Sequence, residues 1–264
     1  MHNFEYHLAS DLEAASKALS GAEDGKLMAG GMTLLPTLKQ RLAAPSDVVD
    51  LSAIDSLKGI KKDGDTIVIG AMTCHADVAA SDVVQSAIPA LAVLAGGIGD
   101  PAVRHRGTIG GSVANADPAA DYPGGLVGLG ATVVTSKREI AADDFFLGLF
   151  ETALEDGEII TAVKFPIPKK AHYQKFRHTA SGYAVVGVMV AQTADGVRVG
   201  VTGAAGSAFR ATNFEEALSK DFSAKAIEGI SQSAEDLLSD IHFSAEYRAH
   251  IVGVFVRRAV AAMA

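Results

Sequence analysis

Residues 108–123, TIGGSVANADPAADYP, place two glycines, two aspartates and two prolines in sixteen positions. Glycine, proline and aspartate at that density read as a loop, and the rest of the chain has to decide whether the loop holds a ligand. A second glycine pair stands in AGGMTLLP, residues 29–36, directly after an apolar run. That order reads as strand, glycine turn and helix, a turn in which backbone amides can converge on an anion with no Cβ in the way. Neither turn is a P-loop, because no Lys-Ser or Lys-Thr pair follows, and neither has the GxGxxG spacing of a Rossmann turn.

Around the second glycine pair stand the hydroxyls of Thr108 and Ser112, the amide of Asn115 and the carboxylates of Asp117 and Asp121. A phosphate takes amides and hydroxyls as partners, whereas a ribose or ribityl hydroxyl takes a carboxylate acceptor. Two separated turns of this kind suit a dinucleotide whose pyrophosphate they share. A plain strand-to-helix turn would use the same glycines, and Asp117 also reads as the cap of a short helix with Pro118 in its first turn.

The elements feeding these turns alternate. Helical periodicity runs from Leu12 to Leu19 behind a Ser10 or Asp11 cap, KLMAGG reads as a strand and turn, TLLPTLKQRL as a helix and SDVVDLSAI as a buried strand. Residues 1 to about 55 are therefore a compact α/β unit. From DTIVIGAMT, a strand ending at Thr73, the pattern changes to two short helices over 75–98, the long loop, a strand and turn in ATVVTSKREIAADDF, and a strand in DGEIITAVKFPIP. The proline-rich PIPKK marks a boundary near residue 166, since it cannot continue a central strand. Beyond it lie YQKFRH, two apolar runs joined by a TADG hairpin turn, and a terminal helix.

With 264 residues, 48% of them hydrophobic, the chain can bury a sizeable core and more than one folding unit. Its net charge of −8 and its lack of a Lys/Arg stripe exclude nucleic acid as a partner. The single cysteine, Cys74, rules out a disulfide framework and any self-contained cysteine-ligated iron-sulfur or zinc site. Without a basic start and apolar run like a signal peptide's, or an apolar stretch long enough to span a bilayer, the expectation is a cytoplasmic protein, any membrane association coming through a larger complex. His75 reads as a helix start, Cys74 as a buried structural thiol, and Arg104, His105 and Arg106 either as phosphate-steadying or as a solvated turn.

AGGMTLLPTLKQRLAAPSDVVDLSAI, GDPAVRHRGTIGGSVANADPAADYP and YQKFRHTASGYAVVGVMV together closely resemble the FAD-binding medium subunits of the molybdenum hydroxylases, the family of carbon monoxide and xanthine dehydrogenases. The likeness covers nearly the whole chain. It implies an α+β fold: a two-part α/β FAD-binding domain of the PCMH type at 1–166, with subdomains of about 1–55 and 56–166, then a domain at 167–264 with a three-stranded antiparallel sheet and helices. It implies noncovalent FAD wrapped by Ala29, Gly30, Gly31, Met32, Thr33 and Leu34 and by Thr108, Ile109, Gly110, Gly111 and Ser112. Asn115 and Asp121 match positions that hydrogen-bond the cofactor, with Asp117 beside them. Ile98 matches a position near the flavin ring, Arg177 stands where xanthine dehydrogenases carry a lysine close to FAD, and Tyr183 in GYAVVG reads either as a ring contact or as a core tyrosine.

The resemblance further implies an electron-transfer subunit with no catalytic residue of its own, working with an iron-sulfur small subunit and a molybdenum-cofactor large subunit in a dimer of heterotrimers. Molybdopterin and iron-sulfur clusters would then belong to the partners, and the isolated chain would oxidise no substrate. A stand-alone noncovalent flavin oxidoreductase and a flavin-free nucleotide-binding scaffold or assembly protein are the alternatives.

Overall fold

A computed structural model describes all residues, 1–264. The first unit comprises β1 (Glu5–Leu8), α1 (Leu12–Gly21), β2 (Gly25–Met28), α2 (Leu34–Lys39) and β3 (Asp47–Asp50). Its strands form a parallel sheet in the order β1-β3-β2. Asp11 caps α1, its Oδ1 accepting from the Ala14 N–H at 2.8 Å. Parallel strands need crossovers, and α2 is one of them: the glycine turn joins β2 to α2 and so stands at the carboxyl end of the sheet. Ala15, Val49, Leu51 and Ile54 form a small core that borrows Met72 and Ile159 from the next unit.

The second unit runs through β4 (Ile60–Asp63), β5 (Thr66–Gly70), α3 (His75–Ala80), α4 (Asp82–Ala87), α5 (Pro89–Gly96), α6 (Pro101–Arg104), α7 (Ile109–Asn115) and α8 (Asp121–Leu129). It continues with β6 (Thr132–Thr135), β7 (Glu139–Ala141), β8 (Phe146–Gly148), β9 (Glu151–Thr152) and β10 (Ile160–Pro166). Five of these strands make an antiparallel sheet, β4-β5-β10-β6-β7. Over 75–98 there are three helices where two were expected. Ser81 stops α3 and caps α4 through Val84 N–H, and Pro89 starts α5 as a first-turn proline. β5 also stops at Gly70, not Thr73, so residues 71–74 leave the sheet with carbonyls free for other partners.

The third unit contains β11 (Lys170–Arg177), β12 (Ala184–Thr193), β13 (Gly196–Thr202), β14 (Phe209–Arg210), α9 (Thr212–Lys220) and α10 (Ala245–Met263). Its antiparallel sheet is ordered β11-β12-β13-β14, the three expected strands plus a two-residue edge strand. The hairpin turn falls at Thr193–Gly196. β12 is an apolar run over Ala184–Ala191 because both its faces are covered: α10 packs on one side and α8 on the other, with α9 on the neighbouring β13. All nine residues of α8 are buried. That helix lies close against β12 and β13 because Gly124 and Gly128 have no side chain to hold it off: a Cβ at Gly124 would stand 2.8 Å from Thr202 Cβ, and one at Gly128 2.7 Å from Met189 Cβ. No helix is long and apolar enough to cross a membrane.

Candidate dinucleotide site

The three units meet around a cavity of about 710 Å³, within the size range of cofactor sites. Its first wall is the turn after β2. Gly31 sits at φ 72°, the left-handed region, and a Cβ on Gly30 would overlap the Arg106 carbonyl, so both glycines are required by the path of the backbone. The turn closes by a Leu35 N–H bond to the Gly31 carbonyl at 3.0 Å. None of the amides of Gly30, Gly31, Met32, Thr33 and Leu34 donates to any group of the chain. Ala29 through Leu34 all line the cavity. This is a strip of successive open N–H groups of the sort that binds anions.

The second glycine turn is built differently, and the expectation that its amides face a phosphate is corrected. The Ile109 N–H donates to Thr73 O at 3.1 Å and the Gly110 N–H to Ala71 O at 2.8 Å, using the carbonyls released where β5 ends. Thr108 caps α7: its Oγ1 accepts from Gly111 N–H at 3.1 Å and its carbonyl from Ser112 N–H at 3.0 Å. All four amides are therefore spent inside the fold. Ile109 points into the main core, fully buried, and is the single predicted site residue that does not line the cavity. What this turn offers a ligand is the side chains of Ser112 and Asn115, which line the cavity beside Thr108, Gly110 and Gly111.

Asp117 and Asp121 follow. Asp117 does not cap a helix; its Oδ1 accepts from the Ala119 N–H at 2.9 Å in a tight Asx turn, and α8 begins only at Asp121. Burial raises the Asp117 carboxyl above its ordinary range. Asp121 lines the cavity but is 4% exposed, with Oδ1 accepting from the Tyr173 hydroxyl at 2.6 Å and Oδ2 from the Lys175 ammonium at 2.7 Å.

The remaining predicted residues also border the cavity. Ile98 lines the cavity, and its carbonyl accepts from Arg104 Nη1 at 2.9 Å. Arg177 also lines it and donates from Nη2 to Gly99 O at 2.8 Å, so two arginines hold the 98–99 segment in place. Tyr183 is 42% exposed at the mouth; partial burial and the carboxylates of Asp117 and Asp121 raise its phenol. Arg104, His105 and Arg106 do not face the cavity, and the last two are exposed. Cys74 is half-buried and reaches only the Arg106 carbonyl, at 3.9 Å; burial raises its thiol.

Sequence reading missed four features of the site. His75 starts α3 as expected but also lines the cavity; burial and Arg104 lower it to about 4, so the ring is neutral, and its Nδ1 has no partner. Glu158 also lines the cavity. Burial pushes its carboxyl up, but Arg138, the Glu155 N–H and the Thr135 hydroxyl outweigh that and leave it at about 2. The loop Thr179–Gly182 forms part of the mouth. Lys175 stands behind Asp121, and here a signal existed: Tyr173, Lys175 and Arg177 alternate along β11 and so share one face.

Lys26 and Arg177 are the only lysine and arginine among the lining residues, against Asp100, Asp117, Asp121 and Glu158. No group of three or more His, Cys, Asp or Glu is placed to hold a metal ion. A cavity at the junction of an α/β unit and two antiparallel sheets, lined by both an open amide strip and carboxylate acceptors, defines a dinucleotide-binding protein. The comparisons with known proteins give its kind. Residues 2–168 match the FAD binding domain in molybdopterin dehydrogenase, and residues 171–263 match the CO dehydrogenase flavoprotein C-terminal domain. The chain belongs to this family of FAD-binding medium subunits.

It is 35% identical over 278 aligned positions to the carbon monoxide dehydrogenase medium chain of Hydrogenophaga pseudoflava, covering 97% of this chain and 96% of that one. It is 37% identical over 269 positions to the nicotine 6-hydroxylase medium subunit of Paenarthrobacter nicotinovorans, covering 97% and 95%. The reconstituted carbon monoxide dehydrogenase from Oligotropha carboxidovorans contains a chain that superposes with a TM-score of 0.93 at 33% identity, covering 99% of each. The family, fold and cofactor expected from the sequence are those found.

Proposed function

We propose that this chain holds FAD noncovalently as the electron outlet of a multi-subunit molybdenum hydroxylase. The carrying observation is the strip of unpartnered amides from Gly30 to Leu34 in a cavity with few cations, which fits a pyrophosphate bound by backbone. Ser112 and Asn115 add a hydroxyl and an amide partner beside that strip, and Asp121 accepts from a hydroxyl of the cofactor's sugar chain. Ile98, Arg177 and Tyr183 border the ring. FAD supplies the exchange between single electrons and electron pairs. The chain's residues bind and orient it, and none is placed as an acid-base pair for substrate.

In this reading an iron-sulfur small subunit delivers electrons, a large subunit carries the molybdenum cofactor and oxidises substrate, and the complex is a cytoplasmic dimer of heterotrimers. Residues 1–166 serve as the FAD-binding domain, in parts of about 1–55 and 56–166, with 167–264 as its C-terminal support; the C-terminal part's own core of β12, β13, α9 and α10 favours that division, while the central core, which also takes in Tyr173, Met189, Ala191 and Ala208, binds the parts together. The test is the absorption spectrum of the purified chain, then heat release and chromatography of any chromophore against FAD and FMN. Bands near ~370 and ~450 nm with releasable FAD are expected of a noncovalent flavoprotein. A colourless chain that takes up no added FAD overturns the reading, and so does substrate oxidation by the chain alone.

A further inference from the structure

Asp121 belongs to the FAD-binding half of the chain, yet both its side-chain partners come from β11 in the other half. Lys175 is 10% exposed on its side chain and Tyr173 is 6% exposed, so neither bond is a surface contact. Lys175 Nζ also reaches Gly97 O at 3.2 Å, one residue before Ile98. The segment leading into Asp121 is held from the same side. Ala184 N–H donates to Ala119 O at 3.0 Å and Gly203 N–H to Pro118 O at 2.7 Å, and the Thr202 hydroxyl stands 2.6 Å from Ala120 O. The aspartate–proline loop that opens toward the cavity is thus carried on the C-terminal sheet.

A carboxylate buried to this degree neutralises unless a cation and hydrogen bonds keep it charged. Charged, it accepts through both oxygens, each with a lone pair left after the Tyr173 and Lys175 bonds; protonated, it becomes a donor and a poorer acceptor. We propose that Lys175 and Tyr173 are positioning residues that keep Asp121 an ionised, oriented acceptor for FAD, and that FAD retention is thereby coupled to seating of the C-terminal domain. The inference rests on the reading of Asp121 as a cofactor acceptor. Burial raises the Asp121 carboxyl, and Lys175 is the main group opposing that rise, followed by Tyr173 and Arg177. The other titratable groups facing Asp121 are Tyr122, its neighbour on α8, and Tyr183 at the mouth.

The test is FAD affinity of the full-length apo chain, by flavin fluorescence quenching, from about pH 5.5 to about pH 8.5, for wild type, Lys175→Met, Lys175→Arg and Tyr173→Phe. Wild type is expected to bind with little pH dependence. Lys175→Met is expected to bind about 10- to 100-fold more weakly at the acid end and to recover part of that loss as pH rises and Asp121 ionises. Lys175→Arg keeps the charge and restores the flat profile, which a purely packing role for the lysine would not produce. Tyr173→Phe loses affinity about 3- to 10-fold at every pH below the phenol's own titration. If Lys175→Met fails to fold, the Lys175→Arg and Tyr173→Phe profiles still decide. Equal, pH-independent binding by wild type and Lys175→Met overturns this proposal alone, as does equal loss in the Met and Arg variants. A wild type that takes up no FAD overturns the parent reading and this one together.

Discussion

Thr108 and Ser112 are alike in the sequence, two hydroxyls flanking one glycine pair, but the fold gives them different work. Thr108 is buried and spends its Oγ1 on the Gly111 N–H as the cap of α7, whereas the Ser112 hydroxyl has no partner in the chain and faces the cavity. Thr108→Val should therefore cost about 1 kcal/mol of stability, the worth of an N-cap, read by urea unfolding of the apo chain. Ser112→Ala should leave that stability within about 0.5 kcal/mol and weaken FAD binding about 5- to 10-fold. The reverse pattern would mean that the roles have been exchanged. Residue types predicted the chemistry available at these positions. Which hydroxyl was already committed depended on backbone geometry three residues away. Ile109 shows the same limit: its place inside the motif made it a site candidate, and its side chain is core.

At the scale of elements, the second glycine turn was legible as a turn but not as a closed one. Two of its amides are taken by the carbonyls of Ala71 and Thr73, some forty positions earlier, because β5 ends at Gly70 and residues 71–73 pass next to the start of α7. Hydrophobic pattern finds strands, but it does not locate the point where a strand releases its carbonyls. The extra helix break at Ser81 is a local signal that a weaker apolar pattern concealed, while the four-residue register of the terminal hairpin was plain from TADG alone. α3 adds a testable consequence, because its first residue, His75, is buried with its ring centroid 5.3 Å from that of Tyr122. Its pKa falls from 6.5 to about 4 on folding. A depressed histidine makes no difference while both states are neutral. As pH falls, the unfolded chain takes the proton first, so stability is lost from about 6.5 down to about 4, by up to about 3 kcal/mol at 1.36 kcal/mol per unit. His75→Phe, which keeps a ring against Tyr122, should unfold with a visibly flatter acid limb in denaturant titrations across that window. An acid limb identical to wild type would show that other groups set it.

For the whole molecule, motif order was the most legible property, since the glycine turns and the YQKFRH segment fall in one sequence along the chain. How the C-terminal sheet carries the Asp117–Asp121 loop was not, because each bond involved joins residues more than fifty positions apart. Charge poses the last question at this scale. Thirty-one acidic residues against twenty-three lysines and arginines give −8, and the ligand is itself an anion, so long-range electrostatics oppose the encounter. Among lining residues only Lys26 and Arg177 are lysine or arginine, and Lys26 is paired with Asp24 at 2.9 Å. A pyrophosphate held by neutral amides displaces few counterions from the protein and has little attraction for salt to screen. Raising ionic strength should accordingly quicken FAD association, by about 2- to 5-fold between about 10 mM and about 300 mM salt, while dissociation changes little. Stopped-flow fluorescence over that range measures both rates. Affinity that falls steeply with salt would instead put the phosphates against the lining cations Lys26 and Arg177, and would move the pyrophosphate off the Gly30–Leu34 amides.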